Sequence, residues 1–199
     1  MIPYHRTFDA MAGMFGWMFR VAGVPFGFLE GRSFLEIGTG QYMNHPLCAL
    51  VCGASEATTY DIKDNRKLDS IYEPFNDIVM ANRFLSELTT HSDFNDRTKN
   101  IRDLVDQVKF TTVFPEEKYD IVFSYSMLEH VNNEDIDNMF LKIRSVSSGI
   151  TLHYIDLLDP HKSNNIDFIE WANRFSELDW EVKHCASDDG SYTIIKTTL

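Results

Sequence analysis

A short apolar run meets a Gly-x-Gly turn in Phe34-Leu35-Glu36-Ile37-Gly38-Thr39-Gly40-Gln41-Tyr42, directly ahead of a helical pattern. Glycines at such a turn carry no Cβ, so backbone N–H groups and a ligand can approach each other closely. A dinucleotide site needs a third glycine at position 43, and Met43 stands there, so the pyrophosphate fingerprint is incomplete. Glu36, two residues before the first glycine, sits badly beside an anionic pyrophosphate and suits a ligand that is positively charged there.

The histidines are the first candidates for moving a proton near neutral pH. His130 follows the apolar run Tyr119–Tyr125, in Ser126-Met127-Leu128-Glu129-His130-Val131. It reads either as a base or acceptor-positioning residue, or as a helix-start ring bonded to local backbone. His153 and Asp156 lie in Leu152-His153-Tyr154-Ile155-Asp156. A polar ring inside an apolar strand requires a partner or a task, because an unpaired buried ring costs free energy. His153 is therefore a catalytic candidate or a satisfied core histidine, and Asp156 is placed just past the strand end. His45 follows the glycine turn and could touch a ligand there, but a solvated first-turn residue explains it more simply. Glu129, Glu134, Asp135 and Asp137 could attract a cationic acceptor, but a solvated helix start explains them more simply. Cys48 and Cys52 are four apart on one helical face, yet no further Cys or His has zinc spacing, so two small core residues are expected and no metal site.

These residues need a scaffold of alternating strands and helices. Met11, Met14, Phe15, Met18 and Phe19 recur at helical spacing over 7–22, and "GVPFGFLEG" breaks the pattern. Strands are expected at 33–37, 57–62, 108–113, 119–125 and 149–155, with two last strands in "WEVKHC" and "SYTIIKTT" joined by "SDDG". Helices are expected at 46–53, over most of 73–107, and at 133–146 and 164–178. The order implies an α/β fold: a doubly wound, mostly parallel seven-stranded sheet with helices on both faces and a final antiparallel hairpin. Ligands of such sheets bind at the carboxyl ends of the strands. Residues 1–32 form an N-terminal helical cover or lid on a single domain, 33–199; Trp17, Phe15, Phe19, Phe26 and Phe28 are either lid or core, and residues 64–95 are a second lid candidate.

At this point the chain resembles the class I S-adenosylmethionine-dependent methyltransferases. Their first motif, an acid followed by x-Gly-x-Gly after strand one, is matched by Glu36, Gly38 and Gly40. Asp61 in Thr59-Tyr60-Asp61-Ile62 matches the acid at the end of strand two, which the resemblance implies binds both ribose hydroxyls by bidentate acceptance. Tyr119-Asp120 through Leu128-Glu129-His130 looks like the fourth-strand block, and Ser148-Gly149 stands where many relatives carry a Gly-Gly turn. Tyr42 replaces a third glycine found in many relatives, and no acid follows strand three to hold adenine. The resemblance covers roughly 33–155. It implies S-adenosylmethionine as cofactor and S-adenosylhomocysteine as product. It implies a cofactor site of Glu36, Gly38, Gly40, Gln41, Tyr42, Asp61, Ile62 and Ser124, and a small-molecule acceptor near His130, His153 and Asp156.

Composition narrows the partners. The chain has 199 residues, 18 Lys plus Arg against 30 Asp plus Glu, and a formal charge of -12. Residues 1–55 are balanced, with Arg6, Arg20 and Arg32 against Asp9, Glu30 and Glu36, so the acidic excess follows them. That balance disfavours a nucleic-acid backbone or an anionic membrane as the main partner. No apolar stretch is long enough for a spanning helix. Three cysteines do not make a disulfide framework, which suits a reducing, cytoplasmic setting. A non-catalytic cofactor-binding protein of the same fold is the main alternative, and a nucleotide-dependent oxidoreductase a weaker one.

Overall fold

The computed structural model describes residues 8–25, 27–66, 101–164, 166–176, 181–186 and 191–198. Most of the helical expectation over 73–107, the lid candidate 64–95 from residue 67 onward, Phe26 and the turn "SDDG" lie outside them. Among the described residues there are seven strands, and the chain divides into two compact units, Met1–Phe114 and Pro115–Leu199.

The first unit holds α1 (Phe8–Val21), β1 (Ser33–Ile37), α2 (Asn44–Val51), β2 (Glu56–Tyr60), the short α3 (Ile101–Val105) and β3 (Val108–Thr111). β2 pairs in parallel with both β1 and β3. Met11, Phe15, Met18 and Phe19 are buried at the spacing expected of an amphipathic helix, so this part of the N-terminal segment is core. Gly13 and Gly16 do not break α1, because burial of that face outweighs their poor propensity. Successive strand residues face opposite ways, so Phe34 and Glu36 share one face of β1. The Phe15 ring lies 5.9 Å from Phe34 and 6.1 Å from His45, which sets α1 and α2 over that face. All eight residues of α2 are buried, Cys48 among them; Cys52, just past the helix end, is buried too, and neither is in a disulfide. Pro46 falls in the first turn of α2, where its missing N–H costs nothing.

The second unit holds β4 (Tyr119–Tyr125), a 3-10 turn (Leu128–His130), α4 (Ile136–Val146), β5 (Ser147–Asp156), α5 (Phe168–Ser176), β6 (Glu181–Ala186) and β7 (Tyr192–Thr198). β4 and β5 are parallel, while β7 runs antiparallel to both β5 and β6. The α/β class, the parallel pairs and the final antiparallel pair are as expected. Ile136, Phe140, Ile143 and Val146 form the buried stripe of α4. Phe140 meets Trp171 and Phe175 of α5 edge-on, at centroid distances of 5.7 and 4.6 Å. One expectation is corrected here: Ser148-Gly149 is not a turn before β5 but part of it. The β4–β5 register shifts between Tyr119 and Ile121, and a Cβ on Gly149 would overlap the Asp120 carbonyl. Glycine is needed for this close backbone approach, not for turning the chain.

Candidate functional site

β1 ends at Ile37, and the chain turns through Gly38 and Gly40 with φ of 86° and 64°. Side chains rarely adopt these left-handed angles, so both glycines are required by conformation. The turn is tied to the second strand twice. Gly38 N–H donates to the Tyr60 carbonyl at 2.8 Å, and Gly40 N–H donates to Asp61 Oδ2 at 3.0 Å. β2 stops at Tyr60, one residue earlier than the carboxylate it positions. Asp61 N–H in turn donates to the Thr111 carbonyl at 3.2 Å, which fixes Asp61 between the ends of β1 and β3. Met43, the position of the missing third glycine, also takes a left-handed conformation, with φ of 49°. The backbone thus keeps a glycine-like bend there, while the Met43 side chain is buried.

Beneath the turn lies a buried hydrogen-bonded pair. Glu36 is 2 % and His45 6 % exposed, and His45 Nδ1 sits 2.6 Å from Glu36 Oε1. Thr59 Oγ1 donates to Glu36 Oε2 at 3.3 Å. The expectation of a solvated His45 is therefore corrected: Glu36 recruits the ring into the core. Glu36 acts on the turn from below, by holding the first turn of α2.

Among the described residues, the turn's own side chains leave room for a ligand. Nothing lies within 4 Å of the place where a Cβ on Gly40 would be. Thr39 Oγ1 is buried without a hydrogen-bond partner. Gln41 is half-buried and Tyr42 is buried. Ile62 is 72 % exposed beside Asp61, an apolar side chain left uncovered next to a carboxylate. A separate cavity of about 520 Å³, lined by Gly31, Leu50, Gly53, Ala54, Ser55, Leu104 and Gln107, opens at the N-terminal ends of β1 and β2. That is the opposite end of these strands from the glycine turn, and it offers no charged group.

In the second unit, Ser124 and His153 are fully buried register partners on β4 and β5. Ser124 Oγ and His153 Nδ1 are 2.7 Å apart, and the His153 ring stacks on Phe175 at 5.2 Å. Burial depresses His153 to about 3, so the ring stays neutral. His153 is thus buried with Ser124 as its partner at Nδ1, while Nε2 is buried with no hydrogen-bond partner among the described residues. The sign for stability follows. A histidine near 6.5 in the unfolded chain takes up a proton that the native ring refuses, so stability is lost as pH falls below 6.5. The loss should reach about 2 kcal/mol by about pH 5. Urea unfolding at pH 7 and pH 5 tests this: Ser124→Ala with His153→Phe should make the change from pH 7 to pH 5 about 2 kcal/mol more favourable than in the wild type, and an unchanged pH slope would remove His153 as a source.

Asp156 is the last residue of β5 rather than one past it. Its N–H donates to Glu129 Oε1 at 3.1 Å, and its Oδ1 accepts from Leu158 N–H at 3.0 Å. Glu129 is 1 % exposed, which corrects its reading as a solvated helix-start acid. Burial pushes its carboxyl up to about 7, against the lowering effect of the backbone donors. Glu134, Asp135 and Asp137 are exposed as expected. His130 is exposed, with Nδ1 at 3.3 Å from the His161 carbonyl and Nε2 at 3.4 Å from Asp159 Oδ2. Asp159 and Asn164 were not singled out from the sequence. Asn164 Nδ2 donates to the carbonyls of Leu128, Glu129 and Val131 at 3.0, 3.2 and 2.9 Å, clamping the 3-10 turn. No sequence motif marks that clamp, since its partners lie more than 30 residues away.

No protein-family model and no curated protein sequence matches the chain. Solved structures do. Magnesium protoporphyrin IX methyltransferase from Synechocystis, with bound SAH, is 14 % identical over 100 % of this chain and 88 % of its own, at a TM-score of 0.62. An O-methyltransferase family protein from Burkholderia thailandensis is 13 % identical over 96 % of this chain and 57 % of its own, at 0.57. A ribosomal protein L11 methylase from Lactobacillus delbrueckii is 12 % identical over 95 % of this chain and 77 % of its own, at 0.50. Identities this low speak for architecture alone, and the architecture is that of the class I S-adenosylmethionine-dependent methyltransferases.

Proposed function

We propose that this chain is an S-adenosylmethionine-dependent methyltransferase that methylates an oxygen or nitrogen of a small molecule. The observation that carries the reading is the glycine turn bound through Gly40 N–H to Asp61, with open space beside Gly40 and an unpartnered Thr39 hydroxyl. The donor set fits the cofactor. Asp61 has acceptor capacity beyond its bond to Gly40, enough for two adjacent ribose hydroxyls. Exposed Ile62 offers an apolar surface for a flat base. Gly38, Gly40, Gln41 and Tyr42 would line the remainder, and Glu36 acts as a positioning residue through His45 rather than by contact.

Bound there, the cofactor supplies a methyl group already activated by a sulfonium charge. What remains for the chain is alignment and exclusion of water. His130 and Asp156 are the residues proposed to face the acceptor, and His153, with Ser124, is assigned to the core. The charge of -12 favours a small acceptor over nucleic acid. Among the described residues no helix is long and apolar enough to cross a membrane. Calorimetry with S-adenosylmethionine and S-adenosylhomocysteine tests the cofactor directly, and no heat up to roughly millimolar ligand ends the proposal. Binding of both without methyl transfer to any of a panel of phenols, carboxylic acids and amines would mark a cofactor-binding protein instead.

A further inference from the structure

Within the second unit, the segment after β5 folds back onto the 3-10 turn after β4. Ser163 N–H donates to the Glu129 carbonyl at 2.8 Å, beside the Asn164 clamp. The result is a rigid meeting of three side chains. One ligand atom from each of Glu129, His130 and Asp159 lies within 4.8 Å of the other two.

Each of the three has one polar atom held by backbone. His130 Nδ1 faces the His161 carbonyl, which only accepts, so this contact suits the tautomer with its proton on Nδ1, the one that can offer Nε2 to a metal ion. Asp159 Oδ1 accepts from His161 N–H at 2.6 Å, and its Oδ2 lies 3.4 Å from His130 Nε2. Glu129 Oε1 accepts from Asp156 N–H, whereas Oε2 is buried with no hydrogen-bond partner among the described residues. A carboxylate oxygen withdrawn from water without a donor is costly. A cation beside it removes that cost.

We propose that Glu129, His130 and Asp159 bind one divalent transition-metal ion. One imidazole and two carboxylates form a mixed nitrogen and oxygen set, which suits Mn²⁺ or Zn²⁺ better than Mg²⁺ or Ca²⁺, whose sites are built from oxygen. Backbone partners that fix the tautomer and aim the ligands are the usual outer support of a metal site. His130 and Asp159 have side chains 42 % and 21 % exposed, which leaves an entry path and room for water ligands. The rival is a plain His130–Asp159 ion pair at the surface. The inference stands apart from the methyl-transfer reading, since metal binding is measured without cofactor.

The test uses the full chain stripped with a chelator. Mn²⁺ is titrated while the paramagnetic resonance signal of the free aquo ion is followed, and Zn²⁺ is titrated by calorimetry. The expected result is about one ion per chain, with affinity at least roughly tenfold weaker in His130→Ala and in Asp159→Asn. His130 is exposed, so His130→Ala is expected to keep the fold, which circular dichroism checks; Glu129→Gln serves as the third ligand variant. No binding up to roughly millimolar ion, or equal affinity in the wild type and both variants, overturns the assignment and leaves the ion pair.

Discussion

His45→Leu should destabilise the protein by about 3 kcal/mol or more, because it leaves Glu36 buried beside a single hydroxyl donor. The pair is 2.6 Å apart and shielded from water on both sides, so neither group has solvent to fall back on. For a chain of this size, that loss corresponds to a melting temperature lower by roughly 10 °C. The partner experiment separates the penalty of an orphaned charge from the worth of the pair. Glu36→Leu combined with His45→Leu removes both polar groups, and replacing a buried pair by apolar groups is often nearly neutral. The double variant should therefore recover much of the loss, which a denaturant-based cycle measures as coupling. A single-variant loss below about 1 kcal/mol would mean that water or another group already serves Glu36. Because α2 starts where the glycine turn ends, His45→Leu should also weaken cofactor binding more than its distance from the ligand suggests.

That pair marks a boundary of what could be read from the sequence. Strand and helix order was legible because apolar periodicity is local: Met11, Phe15, Met18 and Phe19 announce α1, and Ile136, Phe140 and Ile143 announce α4. The glycine turn was legible because Gly38 and Gly40 take left-handed angles that side chains rarely adopt. His45 was not legible, because its partner lies nine residues back on a different element. Glu129 misled for a related reason. Acids before a helix are ordinarily solvated, but α4 begins only at Ile136, and Glu129 belongs to the clamped turn instead. Ser148-Gly149 misled because a glycine forced by close backbone approach looks the same as one forced by a turn. Polar partnerships across distant segments leave no periodic trace, and in the second unit Asp159 is joined to Glu129 and His130 only by such partnerships.

Asp61→Ala should weaken S-adenosylmethionine binding by about tenfold or more, since a bidentate charge-assisted contact is lost. The carboxylate has two jobs that the experiment must separate. It accepts the Gly40 N–H and so holds the turn, and it is proposed to accept the ribose hydroxyls. Asp61→Asn retains an acceptor for Gly40 but loses charge and acceptor capacity, so it should keep the native melting temperature while binding at an intermediate level. A ligand change isolates the second job. S-adenosylhomocysteine lacking its 2′-hydroxyl should bind the wild type several-fold more weakly than the parent compound, while Asp61→Ala should bind both alike. That equality is the signature of direct contact, because a carboxylate that only shaped the turn would leave the two ligands equally distinguished in wild type and variant. Equal affinity of wild type and Asp61→Ala for the parent ligand would remove Asp61 from the site. The glycine turn would then have no carboxylate facing the ribose, and the cofactor reading would rest on architecture alone.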